Sequence, residues 1–149
     1  MELSDARALA LELMKKHGIE RWYFQFDNAK RRFGCCNYTV QLISLSKQLV
    51  LLNTKEKVKD VILHEIAHAL VGRGKGHNWV WREMALEIGC DGKRCYSSED
   101  TVIVKGKVEA TCPKCGYTYR RHRMPKTQRS CGKCSSVFDK EMLLLYARK

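Results

Sequence analysis

The sequence lacks a long apolar run, an export signal and repeated or low-complexity tracts. No stretch of the 149 residues is long and apolar enough to cross a membrane. Residues 1–5 have neither a basic region nor a clean apolar core, so no secretory signal is expected. These absences argue against a membrane partner and predict an intracellular protein, cytoplasmic or associated with the nucleoid. A hydrophobic content of 44% supports a core of one domain, with or without a small module.

Acidic residues are scarce in the last third of the chain. Residues 101–149 carry 12 Lys and Arg against 3 Asp and Glu, a net charge of +9. Residues 1–100 carry 16 against 13, a net charge of +3. A positive field concentrated in one region suits a polyanionic partner, most simply nucleic acid, although the charge can also serve solubility alone.

The hydrophobic pattern predicts an α+β fold. Apolar residues at helical spacing predict a first helix from a cap at Ser4 to about His17, where Gly18 is a natural stop. Thr54 caps a second helix that is apolar nearly all round and therefore buried, and the glycine-rich segment 72–76 must end it. The other predicted elements are three strands at 22–27, 33–38 and 40–46, which form a small antiparallel sheet, and a third helix at 79–88.

Three histidines and a glutamate form the candidate catalytic set. His64, Glu65 and His68 stand in the pattern HExxH, and His77 follows nine residues after His68. On a helix, residues four apart lie on one face, so both imidazoles can reach one zinc ion. His77 is predicted as the third ligand, because the glycines let the chain reverse and return toward His64 and His68. Three protein ligands leave the fourth position of the zinc ion for water. Glu65 is predicted as the catalytic base.

The third ligand has an alternative on the next helix. Glu83 or Glu87 could replace His77 in the zinc site, as a carboxylate does in some HExxH enzymes. The spacing of nine residues excludes the metzincin pattern, in which the third His comes six residues after the second.

A second metal site is predicted in the basic region. Cys112 and Cys115 form one C-x2-C pair, and Cys131 and Cys134 form another after fifteen intervening residues. Two such pairs supply four thiolates to a structural zinc ion, whereas disulfides are disfavoured without an export signal. The sequence therefore predicts a zinc ribbon in a domain spanning residues 101–149, after a first domain spanning residues 1–100.

The loop between the cysteine pairs interleaves aromatic and basic residues. Cations neutralise phosphates and aromatic rings stack on unpaired bases, so this loop is the predicted nucleic-acid-binding element. The tyrosines could instead pack the ribbon. The candidate residues are Tyr117, Tyr119, Arg120, Arg121, Arg123, Lys126 and Arg129.

Four further cysteines fit neither site. Cys35 and Cys36 lie in a predicted strand, and Cys90 and Cys95 are too far apart for a C-x2-C pair. They are expected to be buried free thiols, with a second structural metal site or a redox pair as the alternative.

Taken in order, these motifs resemble the SprT-like zinc metallopeptidases. The resemblance rests on the segments Asn28-Ala29-Lys30-Arg31-Arg32-Phe33-Gly34, Ile43-Ser44-Leu45-Ser46, Leu63 to Leu70, Gly76-His77 and Trp81, followed by the ribbon. It implies a minimal zincin fold joined to a zinc ribbon, with His64, His68 and His77 as zinc ligands and Glu65 as the base. Because the chain ends soon after the ribbon, it resembles a short bacterial or phage member more than Spartan itself.

The resemblance implies proteolysis and, in the Spartan branch, cleavage of proteins crosslinked to DNA. The expected protein is therefore a zinc endopeptidase with two zinc ions, protein substrates and single-stranded or distorted DNA as partner. Its substrate would lie extended along a sheet edge within residues 33–46. One alternative is a non-proteolytic DNA-binding or transcription-associated protein on a zincin scaffold, and another is a protease whose ribbon binds protein.

Overall fold

The computed structural model describes residues 1–95 and 99–149. The chain divides into two compact units, Met1–Val104 and Lys105–Lys149. Residues 101–104, which the sequence analysis assigned to the second domain, are grouped with the first unit. There the Asn53 side chain donates to the Val102 carbonyl at 2.9 Å and accepts from the Val102 N–H at 2.8 Å.

The first unit contains four helices and one three-stranded sheet among its described residues. The predicted α+β class is confirmed. Its elements in chain order are α1 (Leu3–Lys16), β1 (Tyr23–Asp27), β2 (Gly34–Asn37), β3 (Leu42–Ser46), α2 (Lys47–Leu52), α3 (Lys55–Val71) and α4 (Trp79–Glu87).

The sheet is mixed, so the prediction of an antiparallel sheet is wrong in this respect. The strand order is β1-β3-β2, with β3 antiparallel to β2 but parallel to β1. The last of these three strands in the sequence takes the central place, where four of its five residues are buried and Ile43 and Leu45 are fully buried. Local periodicity predicts strands but not their partners, which is why the parallel pair was missed. The central position of β3 leaves β2 at an edge.

Helix α3 carries the core of the first unit. The Thr54 side chain accepts from the Lys57 N–H and begins the helix, as predicted. Its buried residues Val58, Val61, Ile62 and Ile66 pack with residues from α1, the sheet and α4. A helix buried on most of its surface has few ways to shift, so it is a rigid support for any side chain it carries.

Two features at the start of the unit differ from the prediction. The first helix begins at Leu3 with Glu2 as its N-cap, so Ser4 lies inside the helix and does not cap it. The Met1 ammonium donates to the carbonyls of Val50 and Asn53, at 3.2 and 2.8 Å, and this tertiary contact fixes the helix start. The short helix α2, whose N-cap is Ser46, was not predicted.

The second unit is a small sheet with a turn-rich remainder. Its strands are β4 (Val108–Thr111), β5 (Thr118–Arg121) and β6 (Ala147–Arg148), and a 3₁₀ turn spans Lys140–Met142. Strand β4 is central and pairs antiparallel with both neighbours. Among the described parts of the whole chain, no helix has the length and apolar character needed to span a membrane.

Candidate metal centres and catalytic cleft

Helix α3 places two histidines on the same face. His64 and His68 are one turn apart, with His64 buried and His68 half-buried. Glu65 follows His64 and is also buried, with 6% of its surface exposed. Three polar side chains on a helix this apolar are costly to bury unless a partner satisfies them.

The glycine-rich loop after α3 brings in the third histidine. Gly72, Gly74 and Gly76 have φ values of 82°, 86° and 55°, a region that other residues rarely adopt. The chain reverses there, and Asn78 begins α4 by accepting from the Trp81 N–H at 3.2 Å. As a result, the Nε2 atom of His77 lies 3.0 Å from that of His64 and 3.1 Å from that of His68.

Trp81 forms one wall of the histidine cluster, a role the sequence analysis did not assign. Its ring centroid lies 4.6 Å from that of His64, 5.3 Å from that of His68 and 4.6 Å from that of His77. The indole is 1% exposed and its N–H donates to the His64 carbonyl at 3.5 Å. A rigid ring in contact with all three imidazoles fixes their orientation. The available signal was its position, one helical turn beyond His77.

The histidines are neutral at neutral pH, which is the state a metal ligand requires. Burial, followed by the neighbouring imidazoles, lowers the pKa of His64 to about 3 and that of His68 to about 4. Burial also lowers the pKa of His77, and Arg94 adds to this effect. Neutral imidazoles offer lone pairs to a cation without first losing protons.

The geometry of the cluster fits a tetrahedral zinc ion. Ligand nitrogens at the usual Zn–N distance lie about 3.4 Å apart, close to the 3.0 and 3.1 Å separations found here. Among the described residues, Glu83 and Glu87 belong to no metal-binding group, and both are exposed on α4. The arrangement therefore favours His77 over either glutamate as the third ligand.

Glu65 and the histidines line a cleft of about 980 Å³. Strand β2 contributes Gly34, Cys35 and Cys36 to its wall, and three arginines, Arg31, Arg32 and Arg94, also line it. Burial raises the pKa of the Glu65 carboxyl to about 8, while the Arg32 guanidinium acts in the opposite direction. Arg32 is held by Asp27 at 2.8 Å, and Asp27 also accepts from the Ser44 hydroxyl at 2.8 Å.

The four ribbon cysteines converge in the second unit. Sγ of Cys112 lies 3.9 Å from that of Cys134, and Sγ of Cys115 lies 3.7 Å from that of Cys131. Sulfurs around a tetrahedral zinc ion at the usual Zn–S distance are about 3.8 Å apart, so the set fits. The Tyr119 hydroxyl lowers the pKa of the Cys131 thiol, whereas the hydrogen bond with Cys115 raises that of Cys134. Four sulfurs this close form a group that could hold a metal ion.

The predicted nucleic-acid-binding residues fall into three groups. Tyr119 is half-buried, and its hydroxyl lies 3.3 Å from the Cys131 sulfur, so it packs the ribbon. Arg120 pairs with Glu109 at 2.7 Å, and Arg121 donates to the Tyr146 hydroxyl at 3.2 Å. The remaining four are exposed on the surface: Tyr117, Arg123, Lys126 and Arg129.

Of the other four cysteines, Cys90 is a buried thiol as expected, but the expectation is wrong for the rest, since Cys35 and Cys36 are half-buried and Cys95 is exposed. Cys90 is 4% exposed and belongs to the core of the first unit. Its thiol donates a hydrogen bond to the Asp60 carboxylate, and burial, the largest effect, raises the pKa of the thiol to about 12. Cys35, Cys36 and Cys95 line the cleft. In the described ranges, no metal-binding group combines any of these three with another ligand.

Comparisons with known proteins bear on the first unit. A model of the SprT-like family matches residues 6–101 of the chain. Among solved structures, the chain is similar to the metallopeptidase zymogen of Methanocaldococcus jannaschii jannalysin. That likeness has a TM-score of 0.49 and 16% identity, and covers 64% of this chain and 85% of the other. No curated protein matches the chain significantly.

Proposed function

We propose that this chain, which belongs to the SprT-like family, is a zinc endopeptidase. Its proposed substrates are proteins bound or crosslinked to DNA. One observation carries the peptidase half of this proposal. Three imidazole nitrogens converge on one point in an open cleft, with a buried glutamate beside them. Three protein ligands leave a fourth coordination position, which distinguishes catalytic from structural zinc sites.

His64, His68 and His77 would hold the catalytic ion. When bound, zinc supplies a Lewis acid that polarises the scissile carbonyl and makes water a stronger nucleophile at neutral pH. Trp81 contacts all three rings and would keep them oriented. The four ribbon cysteines would hold a second, structural zinc ion.

Glu65 would move the proton. A carboxylate oxygen of Glu65 accepts a proton from the attacking water and then passes it to the leaving amine. This role requires the ionised form, although burial, opposed in part by Arg32, raises the pKa of the carboxyl to about 8. A divalent cation in the neighbouring histidine site favours the carboxylate, in the same direction as Arg32.

The substrate would bind along β2. Within residues 33–46, β3 is central in the sheet and β2 is at the edge, so the open hydrogen-bonding groups belong to Gly34–Asn37. The same strand lines the cleft beside Glu65. An extended peptide added to this edge would carry its scissile bond past the histidines.

The ribbon would bring the peptidase to DNA. Its net charge of +9 between residues 101 and 149 supplies phosphate contacts, and Tyr117 offers an exposed ring for base stacking. These contacts do not read base edges, so we expect binding to single-stranded or distorted DNA with little sequence preference. Tethering raises the local concentration of DNA-bound proteins near the cleft.

The experiment compares cleavage of a protein crosslinked to single-stranded DNA with cleavage of the same protein free in solution. We expect the crosslinked protein to be cut faster, and the difference to vanish at high salt. Equal rates on both substrates would remove the DNA half of the proposal. Absence of cleavage of either would remove the peptidase half and favour a non-proteolytic DNA-binding protein.

A charge-matched pair of variants tests the ribbon directly. R123Q/K126Q/R129Q removes three exposed cations from the ribbon, and K15Q/K30Q/K59Q removes three exposed cations from the first unit. If each ribbon cation contacts one phosphate, the slope of log affinity for single-stranded DNA against log salt should fall by about 2. The control triple should leave the slope unchanged. An equal effect of both triples would mean that the ribbon has no special role.

A further inference from the structure

Gly34, the first residue of β2, lies directly against the Glu65 side chain. A Cβ atom placed on Gly34 would lie 2.6 Å from Glu65 Oε1, 2.7 Å from Cγ and 3.0 Å from Cδ. Non-bonded carbon atoms normally approach to about 3.5–4.0 Å. No side chain therefore fits at residue 34 while Glu65 keeps its place. We infer that Gly34 is a positioning residue, whose bare backbone forms the surface that holds Glu65 in the cleft; this rests on the proposed function.

The backbone of β2 does not itself require glycine at this position. Seven glycines of the described chain have φ in the left-handed region, and Gly34 is not one of them. It pairs with Leu45 in a regular antiparallel ladder, which alanine can form equally well. The preceding Phe33 carbonyl accepts from the Ser46 N–H at 2.8 Å and anchors the strand. A methyl group at residue 34 would therefore act on Glu65 and leave the sheet in place.

Glu65 cannot avoid a methyl group at residue 34 by a small rotation of its carboxylate. The conflict includes Cγ, which lies near the helix and moves only if the whole side chain moves. The residue is 6% exposed, and Leu63, Ile66 and Ala67 around it on α3 are buried. To restore a normal separation between the added Cβ and Cγ of Glu65, the Glu65 side chain must shift by about 0.8 Å. A misplacement of about 1 Å in a catalytic geometry can reduce the rate by about 10²-fold.

The variant G34A tests this role by separating kcat from KM. We expect kcat on a peptide substrate to fall about 10- to 100-fold, with KM within about twofold of wild type and zinc content unchanged. A displaced β2 would instead raise KM, because that strand is the proposed substrate edge. The control is G132A: Gly132 also lies outside the left-handed region, and a Cβ there meets nothing within 4 Å. An unchanged kcat in G34A, or a rise in KM alone, overturns the inference.

Thermal unfolding gives a readout that does not require peptidase activity. G34A should lower Tm when Glu65 is present and should not lower it in an E65A background, where the conflicting atoms are gone. Coupling in Tm without any proteolysis by wild type would support the contact and reject the proposed function. Equal Tm shifts in both backgrounds, together with active wild-type enzyme, would reject the contact alone.

Discussion

In the unit Met1–Val104 the hydrophobic core lies beside the candidate metal ligands, whereas in Lys105–Lys149 two of the four candidate ligands are themselves part of the hydrophobic core. The first core is built from aliphatic and aromatic residues of α1, α3, α4 and the sheet. The second contains Ala110, Met142 and Leu144 together with Cys112 and Cys131. A unit whose core is stable without the metal should lose only its function when the metal is removed. A unit whose core needs the metal should lose its structure.

Metal removal tests this comparison most strongly. In the protein stripped by a strong chelator, residues 105–149 should lose their fold, because 45 residues bury too little apolar surface to fold alone. Structural zinc contributes about 10–16 kcal/mol to comparable modules. The first unit should remain folded. Limited proteolysis with mass spectrometry should yield a stable fragment that ends near residue 105, and added zinc should restore protection.

In protein supplied with zinc, the variant C112S should also cause residues 105–149 to lose their fold. C95S provides the matched control, since Cys95 is exposed and lies outside the ribbon. Protection of residues 105–149 in C112S or in metal-free protein would contradict the comparison, because it would show that this core is self-sufficient.

Changing the base should affect chemistry alone in the first unit. E65Q keeps the shape of the side chain but cannot accept a proton, so kcat/KM should fall about 10²- to 10⁴-fold. Zinc content and Tm should match wild type, since the core around α3 is unchanged. E83Q provides the control, because Glu83 is exposed on α4. A near wild-type rate in E65Q would remove Glu65 from its role as base.

Removing the third histidine should weaken metal binding in the first unit without unfolding it. His77 is exposed on the glycine-rich loop and contributes little to the core. Removing a residue that only hydrogen-bonds to a metal ligand typically lowers metal affinity about 10- to 100-fold. H77A removes a ligand itself, so it should lower the zinc affinity of this site by more than that. The ribbon should keep its zinc, so elemental analysis should fall from two ions per chain toward one. Full retention of two ions would contradict the assignment of His77.

The parts of this comparison that could be predicted from sequence are those encoded locally. Thr54 predicted the start of α3, and the glycines of residues 72–76 predicted the reversal that brings His77 to α3. The cysteine spacing likewise predicted a four-cysteine cluster, which the structure brings together. In each case the sequence within a few residues carries the physical cause.

The features that could not be predicted depend on residues distant in sequence. The parallel pairing of β1 with β3 and the start of α1 are set by tertiary partners. The contacts of Trp81 with three histidines exist only after α4 folds against α3. The approach of Gly34 to Glu65 joins residues 31 positions apart, so no local pattern marks that glycine as different from one in a turn.

The smallest expected effect concerns the two ribbon tyrosines and separates folding from binding within the second unit. The Tyr119 hydroxyl bonds to the Cys131 sulfur at 3.3 Å, whereas Tyr117 is 43% exposed with the Lys133 ammonium 3.6 Å from its ring centre. Y119F should cost about 1–2 kcal/mol of zinc binding and leave DNA affinity unchanged in zinc-saturated protein. Y117A should do the reverse, with a loss of about 1–3 kcal/mol for a stacked base. Zinc competition with a chromogenic chelator and fluorescence anisotropy with single-stranded DNA measure the two effects. If Y119F weakens DNA binding at full zinc occupancy, the core of the ribbon and its binding surface are not separable.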